Sequence, residues 1–206
     1  MTPKARYPTS ARVLGALALT LLWSCAPIPA QAPLPQLTYG HLGVLRLDAR
    51  TVEIVAEYSP PLTYPNVEHL FPVSPEAALR RWAVDRLQPA GRQALGDGRR
   101  VIVLVKDARV VETRLPRTEG LRGAFTEDQS ERYDAVLEVA IEIRSDRANF
   151  RDAFVTARAE RSRTVTEGIS ISARERVWFE ITESLMNDLN RELDRQMREN
   201  FRQFLL

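Results

Sequence analysis

The alternation of apolar and polar positions sorts this chain into strands and helices before any other property is considered. Val52, Ile54, Ala56 and Tyr58 alternate with Glu53, Val55 and Glu57, the period of two that marks a half-buried strand. With Val44–Leu47 ahead of it, this predicts two short strands across a turn at Asp48-Ala49-Arg50. Val101–Val105 (VIVLV) is apolar at every position, which predicts a central strand covered on both faces, continuing through Val110 and Val111 with a kink near Asp107. The clearest strand runs from Tyr133 to Ile143. There Tyr133, Ala135, Leu137, Val139, Ile141 and Ile143 point one way, and Asp134, Glu138 and Glu142 the other. Asp146-Arg147-Ala148-Asn149 is a turn signal, so Phe150 to Val165 should return antiparallel.

Two helices follow from the longer period. Pro60, Pro61, Pro65 and Pro72 forbid regular structure up to Ser74. Ser74-Pro75-Glu76 then combines an N-cap serine, a proline at the first helical position and an early carboxylate. The helix should run to Gln88, stop at Pro89-Ala90-Gly91, and put Leu79, Trp82, Ala83 and Leu87 on one face. Trp82 is expected in the core, packing helix onto sheet, with a ligand platform as the other reading. Ser172-Ala173-Arg174-Glu175 matches a capping box and opens a second helix, free of Gly and Pro, to Phe204. At 1.5 Å per residue this is a rod of about 48 Å. The fold class that results is α+β: a mostly antiparallel sheet of four to six strands packed by one short and one long C-terminal helix.

Along the second helix Val177, Ile181, Leu185, Leu189, Leu193, Met197 and Phe201 recur every four residues. Each step turns about 400°, so the row drifts about 240° over its length. Two outcomes are open. The row leaves the sheet after Leu189, and Met197, Phe201, Phe204 and Leu205 form an apolar contact for a partner or a second copy of the chain. Alternatively, Trp178, Met186 and a gentle curve keep every member in the core.

The first residues add an address. Lys4, Arg6 and Arg12 precede Val13–Trp23, an uncharged and mostly apolar run of eleven residues. That arrangement suits a secretory signal and is short of the roughly 20 residues a membrane-spanning helix needs. Leu22-Trp23-Ser24-Cys25 follows directly and resembles the lipobox of bacterial lipoproteins, although Trp23 is bulkier than that pattern usually shows. The resemblance implies cleavage before Cys25 and lipidation of its thiol; the alternative is an ordinary signal cut after Ala30 or Ala32. Cys25 is the one cysteine of the chain, so neither an internal disulfide nor a cysteine metal site is expected. Ala26 in place of Asp after the cysteine resembles the pattern that permits sorting to the outer membrane, which that resemblance favours slightly over the inner. Ala26–Gln36 holds four prolines and no charge, a semi-stiff tether of roughly 30 Å. The expected organisation is therefore a signal peptide over 1–24, a lipidated cysteine and tether over 25–37, and one periplasmic domain over 38–206.

Processing also changes the charge. Residues 1–24 contain three of the 29 basic residues and no acid, so the mature chain carries 26 Lys and Arg against 27 Asp and Glu. A near-neutral domain does not suit nucleic-acid binding. Chemistry-bearing groups are sparse. His41 and His69 lack metal-ligand spacing, and Gly168-Ile169-Ser170-Ile171-Ser172 is not a nucleophile elbow, which needs Gly-x-Ser-x-Gly. His69 is the better candidate of the two histidines, with a structural or solvated imidazole as the plainer reading. Arg117, Arg122 and Phe125, in the glycine-bearing loop from Pro116 to Asp128, could grip an anionic head group; an ordinary surface loop is the plainer reading here too.

Pro65-Asn66-Val67-Glu68-His69, Arg81-Trp82-Ala83-Val84-Asp85-Arg86-Leu87 and Glu131-Arg132-Tyr133-Asp134 resemble exported lipoproteins of Gram-negative bacteria whose role is uncharacterised. More distantly, the order of elements is similar to that of the auxiliary lipoproteins of ABC-type transporters. These resemblances imply a non-catalytic accessory subunit of a cell-envelope system, with ABC-type lipid or solute transport as the system, no catalytic residues, and no cofactor beyond the covalent lipid on Cys25. A membrane reached through the lipid anchor and a protein partner in the envelope are the expected contacts. The alternative is a lipid-binding carrier with a pocket between sheet and helix; a hydrolase ranks third.

Overall fold

The computed structural model describes residues 33–91, 98–116, 129–147 and 150–206. Cys25, the leader, most of the tether and the loop bearing Arg117, Arg122 and Phe125 lie outside them. In chain order the elements are β1 (Leu45–Leu47), β2 (Thr51–Ala56), α1 (Pro75–Arg86), β3 (Leu87–Pro89), β4 (Arg99–Asp107), β5 (Val110–Arg114), β6 (Gln129–Ser145), β7 (Arg151–Thr166) and α2 (Ile171–Asn200).

β6 and β7 form a long hairpin that organises the sheet, and β4 and β5 both pair antiparallel with the other edge of β6. β4 opposes Glu138–Ser145 and β5 opposes Glu131–Ala135, so the two are one strand line interrupted at Ala108-Arg109. The break lies next to Asp107, whose carboxylate accepts from the Arg109 amide. β2 closes the edge beside β4 and runs parallel to it. The sheet is thus five-stranded and mostly antiparallel, as the pattern predicts, with one parallel pair.

Two sequence expectations are corrected here. β1 and β2 are not partners across a turn: β1 pairs in parallel with β3, immediately after α1, in a separate two-stranded sheet. Three residues are too little pattern to reveal a partner about 40 positions away, and Leu87–Pro89 read as the end of a helix. Secondly, β4 is covered on one face only. Val101, Val103 and Val105 are fully buried, whereas Ile102 and Leu104 on the opposite face are half-buried.

The covered face is the one the β6 alternation marks. Tyr133, Ala135, Leu137, Val139, Ile141 and Ile143 are all buried, and Ala157 and Ala159 of β7 are small enough to let a helix come close. α2 lies along β7, running antiparallel to it. Its Gln196 amide bonds both the N–H and the C=O of Thr156 (3.3 and 2.7 Å), occupying one residue of the strand's open edge. α1 joins α2 side by side through Trp82 Nε1, which donates to Asn190 (2.8 Å), and through Arg86, which pairs with Asp194 (2.6 Å). No described helix is long and apolar enough to cross a membrane.

Helix starts follow the capping logic with one shift. Ser74 Oγ accepts from the Ala77 amide and Pro75 opens α1, as predicted. In α2 the cap is Ser170, whose Oγ accepts from Ala173 N at 3.2 Å, and Ser172 is already helical. Gly168, with φ of 77°, ends the link from β7 so early that Ser170 becomes the last extended residue.

The second half of α2 does not leave the core. Leu193, Met197 and Phe201 are fully buried, Phe204 nearly so, and Leu205 partly. Met197, Phe201, Phe204 and Leu205 are therefore internal packing and not a free contact surface. The 240° drift is real, but a single sheet is not what receives it. After Asn200 the chain turns back, Leu205 bridges Leu47, and the Leu206 amide donates to Arg46 O, adding the C-terminus to the small β1–β3 sheet. The row belongs to one continuous core that also holds Phe71, Leu45 and Leu47.

Candidate functional site

Where α2 begins, the inner face of the sheet runs on past the hydrophobic core and its side chains become polar. The β5–β6 register sets Glu112 opposite Tyr133 and Arg114 opposite Glu131. The β7–α2 link brings Glu167 and Gly168 alongside, and Arg174 reaches down from the first turns of the helix. Together Arg114, Ser130, Glu131, Glu167, Gly168 and Arg174 line a surface recess of about 470 Å³.

The base of this end is aromatic. Trp178 stacks on Phe71 with centroids 5.1 Å apart and meets Tyr133 edge-on at 5.7 Å. Above them Glu131 receives the Tyr133 hydroxyl at 2.5 Å and Arg174 Nη2 at 3.1 Å. Burial, with the hydrogen bond to Glu131, pushes the Tyr133 phenol well above its ordinary range. Burial also raises Glu112; the nearby Glu131 charge adds to the rise, and Arg174 and Arg114 oppose it. Two buried donors of this cluster, Arg174 Nε and Trp178 Nε1, have no partner among the described residues.

The sequence-derived candidates fall elsewhere. His41 and His69 are exposed on separate short turns. In the Pro65–His69 motif the working residue is Glu68, not the histidine. Its carboxylate is 2 % exposed and accepts from Tyr58 OH (2.8 Å) and the Val110 amide (3.1 Å). With Val67 N donating to Val110 O and Glu112 N to Pro65 O, that motif ties the proline-rich loop to β5. Among the described residues no group of three or more His, Cys, Asp or Glu is placed to hold a metal ion.

Glu112 and Arg114 were not singled out from the sequence, and Glu131 and Arg174 entered only as members of a resemblance motif and a capping box, not as site residues. A signal for them existed: Glu112 and Arg114 share the parity of buried Val110, and Glu131 that of Tyr133. Charged residues on the buried parity of a strand mark the place where the core gives way to something polar.

No family model matches this chain, and no curated protein does. Two solved structures are similar to it in part: rare lipoprotein B from Shewanella oneidensis, at 9% identity over 73% of this chain and 96% of that one with a TM-score of 0.35, and a DUF330 protein from Xanthomonas campestris, at 10% identity over 74% and 98% with a TM-score of 0.24. At this level of similarity neither structure speaks to what the chain does.

Proposed function

We propose that the chain is a periplasm-facing lipoprotein, anchored by lipid on Cys25, that serves as a non-catalytic accessory subunit of a cell-envelope system, with ABC-type lipid or solute transport as the system. The observation that carries this reading is the Leu22-Trp23-Ser24-Cys25 box directly after an apolar run of eleven residues. Three acyl chains would hold the domain firmly, since each buried methylene contributes about 0.8 kcal/mol.

The interior of the fold bears on the carrier alternative. Leu137, Ile141, Leu185 and Leu189 are fully buried at the sheet–helix interface, so side chains occupy the space that a carrier would give to an acyl tail. A subunit acting by contact fits this filled core better.

The test has two parts. Radiolabelled palmitate should enter the protein, and Cys25→Ala or globomycin should block its maturation; labelling that survives Cys25→Ala removes the anchor. A pull-down from detergent-solubilised membranes should then recover a transporter or envelope complex. Recovery of lipid without a protein partner supports the carrier instead, and turnover abolished by one Asp, Glu or His substitution supports a hydrolase.

A further inference from the structure

The tether joins the domain at Leu37, which packs against the core, and Tyr39, which is 5% exposed. The short turn that follows, Gly40–Leu42, is held from below. Tyr39 N donates to Asp85 of α1 at 2.9 Å. Arg86 is buried and reaches from α1 to α2: its Nη1 donates to Leu42 O and Gly43 O, and its Nη2 pairs with Asp194 at 2.6 Å. A buried guanidinium shared between two loop carbonyls and a carboxylate makes this turn a fixed part of the domain surface.

What the turn presents is apolar. Leu42 is 39% exposed and Val44 51%. In β1 the alternation buries Leu45 and Leu47 and leaves Arg46 exposed, opposite exposed Gln88 of β3. Among the described residues Arg46 makes no ion pair. Residues 37–47 and β3 contain no Asp or Glu, although the chain holds 27 of them. The carboxylates beneath, Asp85 and Asp194, are taken up by Arg81 and Arg86.

The position of this patch beside the tether bears on what covers it. From Cys25 to Leu37 the chain spans at most about 43 Å. A surface next to Leu37 meets the bilayer at any extension of that tether. The start of α2 lies about 35 Å along the helix from Asp194, and meets it only after the tether has been drawn out over the domain.

We propose that this turn docks on the bilayer that holds the Cys25 lipid, with Leu42 and Val44 at the boundary of headgroups and acyl chains and Arg46 on lipid phosphates. Exposed aliphatic side chains beside an unpaired cation suit an interfacial contact, and the guanidinium fork suits phosphate. The inference rests on the Cys25 anchor and adds which face of the domain the membrane meets.

The full lipidated chain in vesicles of phosphatidylethanolamine and phosphatidylglycerol tests it. Lipid occupies the Cys25 thiol, so the single variants Leu42→Cys, Val44→Cys and Ile171→Cys each take one NBD label at an exposed position. With doxyl-labelled lipid in the vesicles, the labels at 42 and 44 should be quenched about threefold or more beyond the label at 171, on the start of α2. Arg46→Glu, at an exposed and unpaired residue, should bring the label at 44 down toward the level at 171. Equal quenching at 44 and 171 in vesicle-bound protein overturns the contact. A disulfide-linked dimer of unlabelled Val44→Cys on the vesicles gives the face to a second copy and overturns it too. Unchanged quenching in Arg46→Glu overturns the phosphate contact. A chain that does not float with the vesicles overturns the anchor itself, and this inference with it.

Discussion

Trp82 carries more of the packing than any other residue of α1. It is fully buried, and its indole N–H is matched by Asn190 on the neighbouring helix at 2.8 Å. A ligand platform needs an exposed ring face, and Trp82 presents none. Trp82→Ala should cost about 3–5 kcal/mol, the range for truncating a buried large aromatic. Trp82→Phe fills much of the space, and Asn190 is half-exposed and can turn to water, so that variant should keep most of the stability. Denaturant midpoints for the two variants check this; near-equal midpoints would mean the ring volume is not what matters. The tryptophan was legible in the sequence because its helical face was. Its partner was not, since no local pattern links position 82 to position 190.

At the scale of elements, legibility tracked length and period. β6, β7 and both helices have enough turns or alternations for the pattern to overdetermine them, and they appear within a few residues of where it puts them. β1 and β3, three residues each, carry no period to read. The start of α2 shows how local chemistry can mislead by two residues. Ser172 and Glu175 satisfy the capping-box spacing, yet the helix is set by Ser170, which accepts from Ala173 N while still in extended conformation. Among the described residues the Ser172 hydroxyl meets only that of Ser170, at 3.2 Å. Ser170→Ala should therefore cost about 1 kcal/mol, and Ser172→Ala only a few tenths, within the usual spread for an N-cap against an interior helical serine. Thermal melts of the two single variants decide it; a larger loss in the Ser172 variant would return the cap to the capping box.

For the whole molecule, the C-terminus is the place where reading by element fails and only the assembled core gives an answer. A row drifting about 240° along a helix would be shed by a single sheet. Here the sheet receives its first part and the small β1–β3 sheet its last, and the chain end completes that small sheet through Leu205 against Leu47 and Leu206 N on Arg46 O. The N-terminal strand, the segment after α1 and the last residues of the chain thus depend on one another. Truncation after Arg195 removes fully buried Met197 and Phe201, nearly buried Phe204, and the Gln196 amide that occupies the edge of β7 at Thr156. Loss of each large buried side chain costs about 2–5 kcal/mol, so three together are comparable to the roughly 5–15 kcal/mol by which domains are stable. The truncated chain should lose its cooperative melt and become sensitive to limited proteolysis across β1 and β3. Deletion of Leu206 alone, a residue 65% exposed, removes one backbone hydrogen bond and should be tolerated. A truncated chain that still melts cooperatively within a few degrees of the full one would show that the row after Leu189 is dispensable to the fold and free to serve a partner.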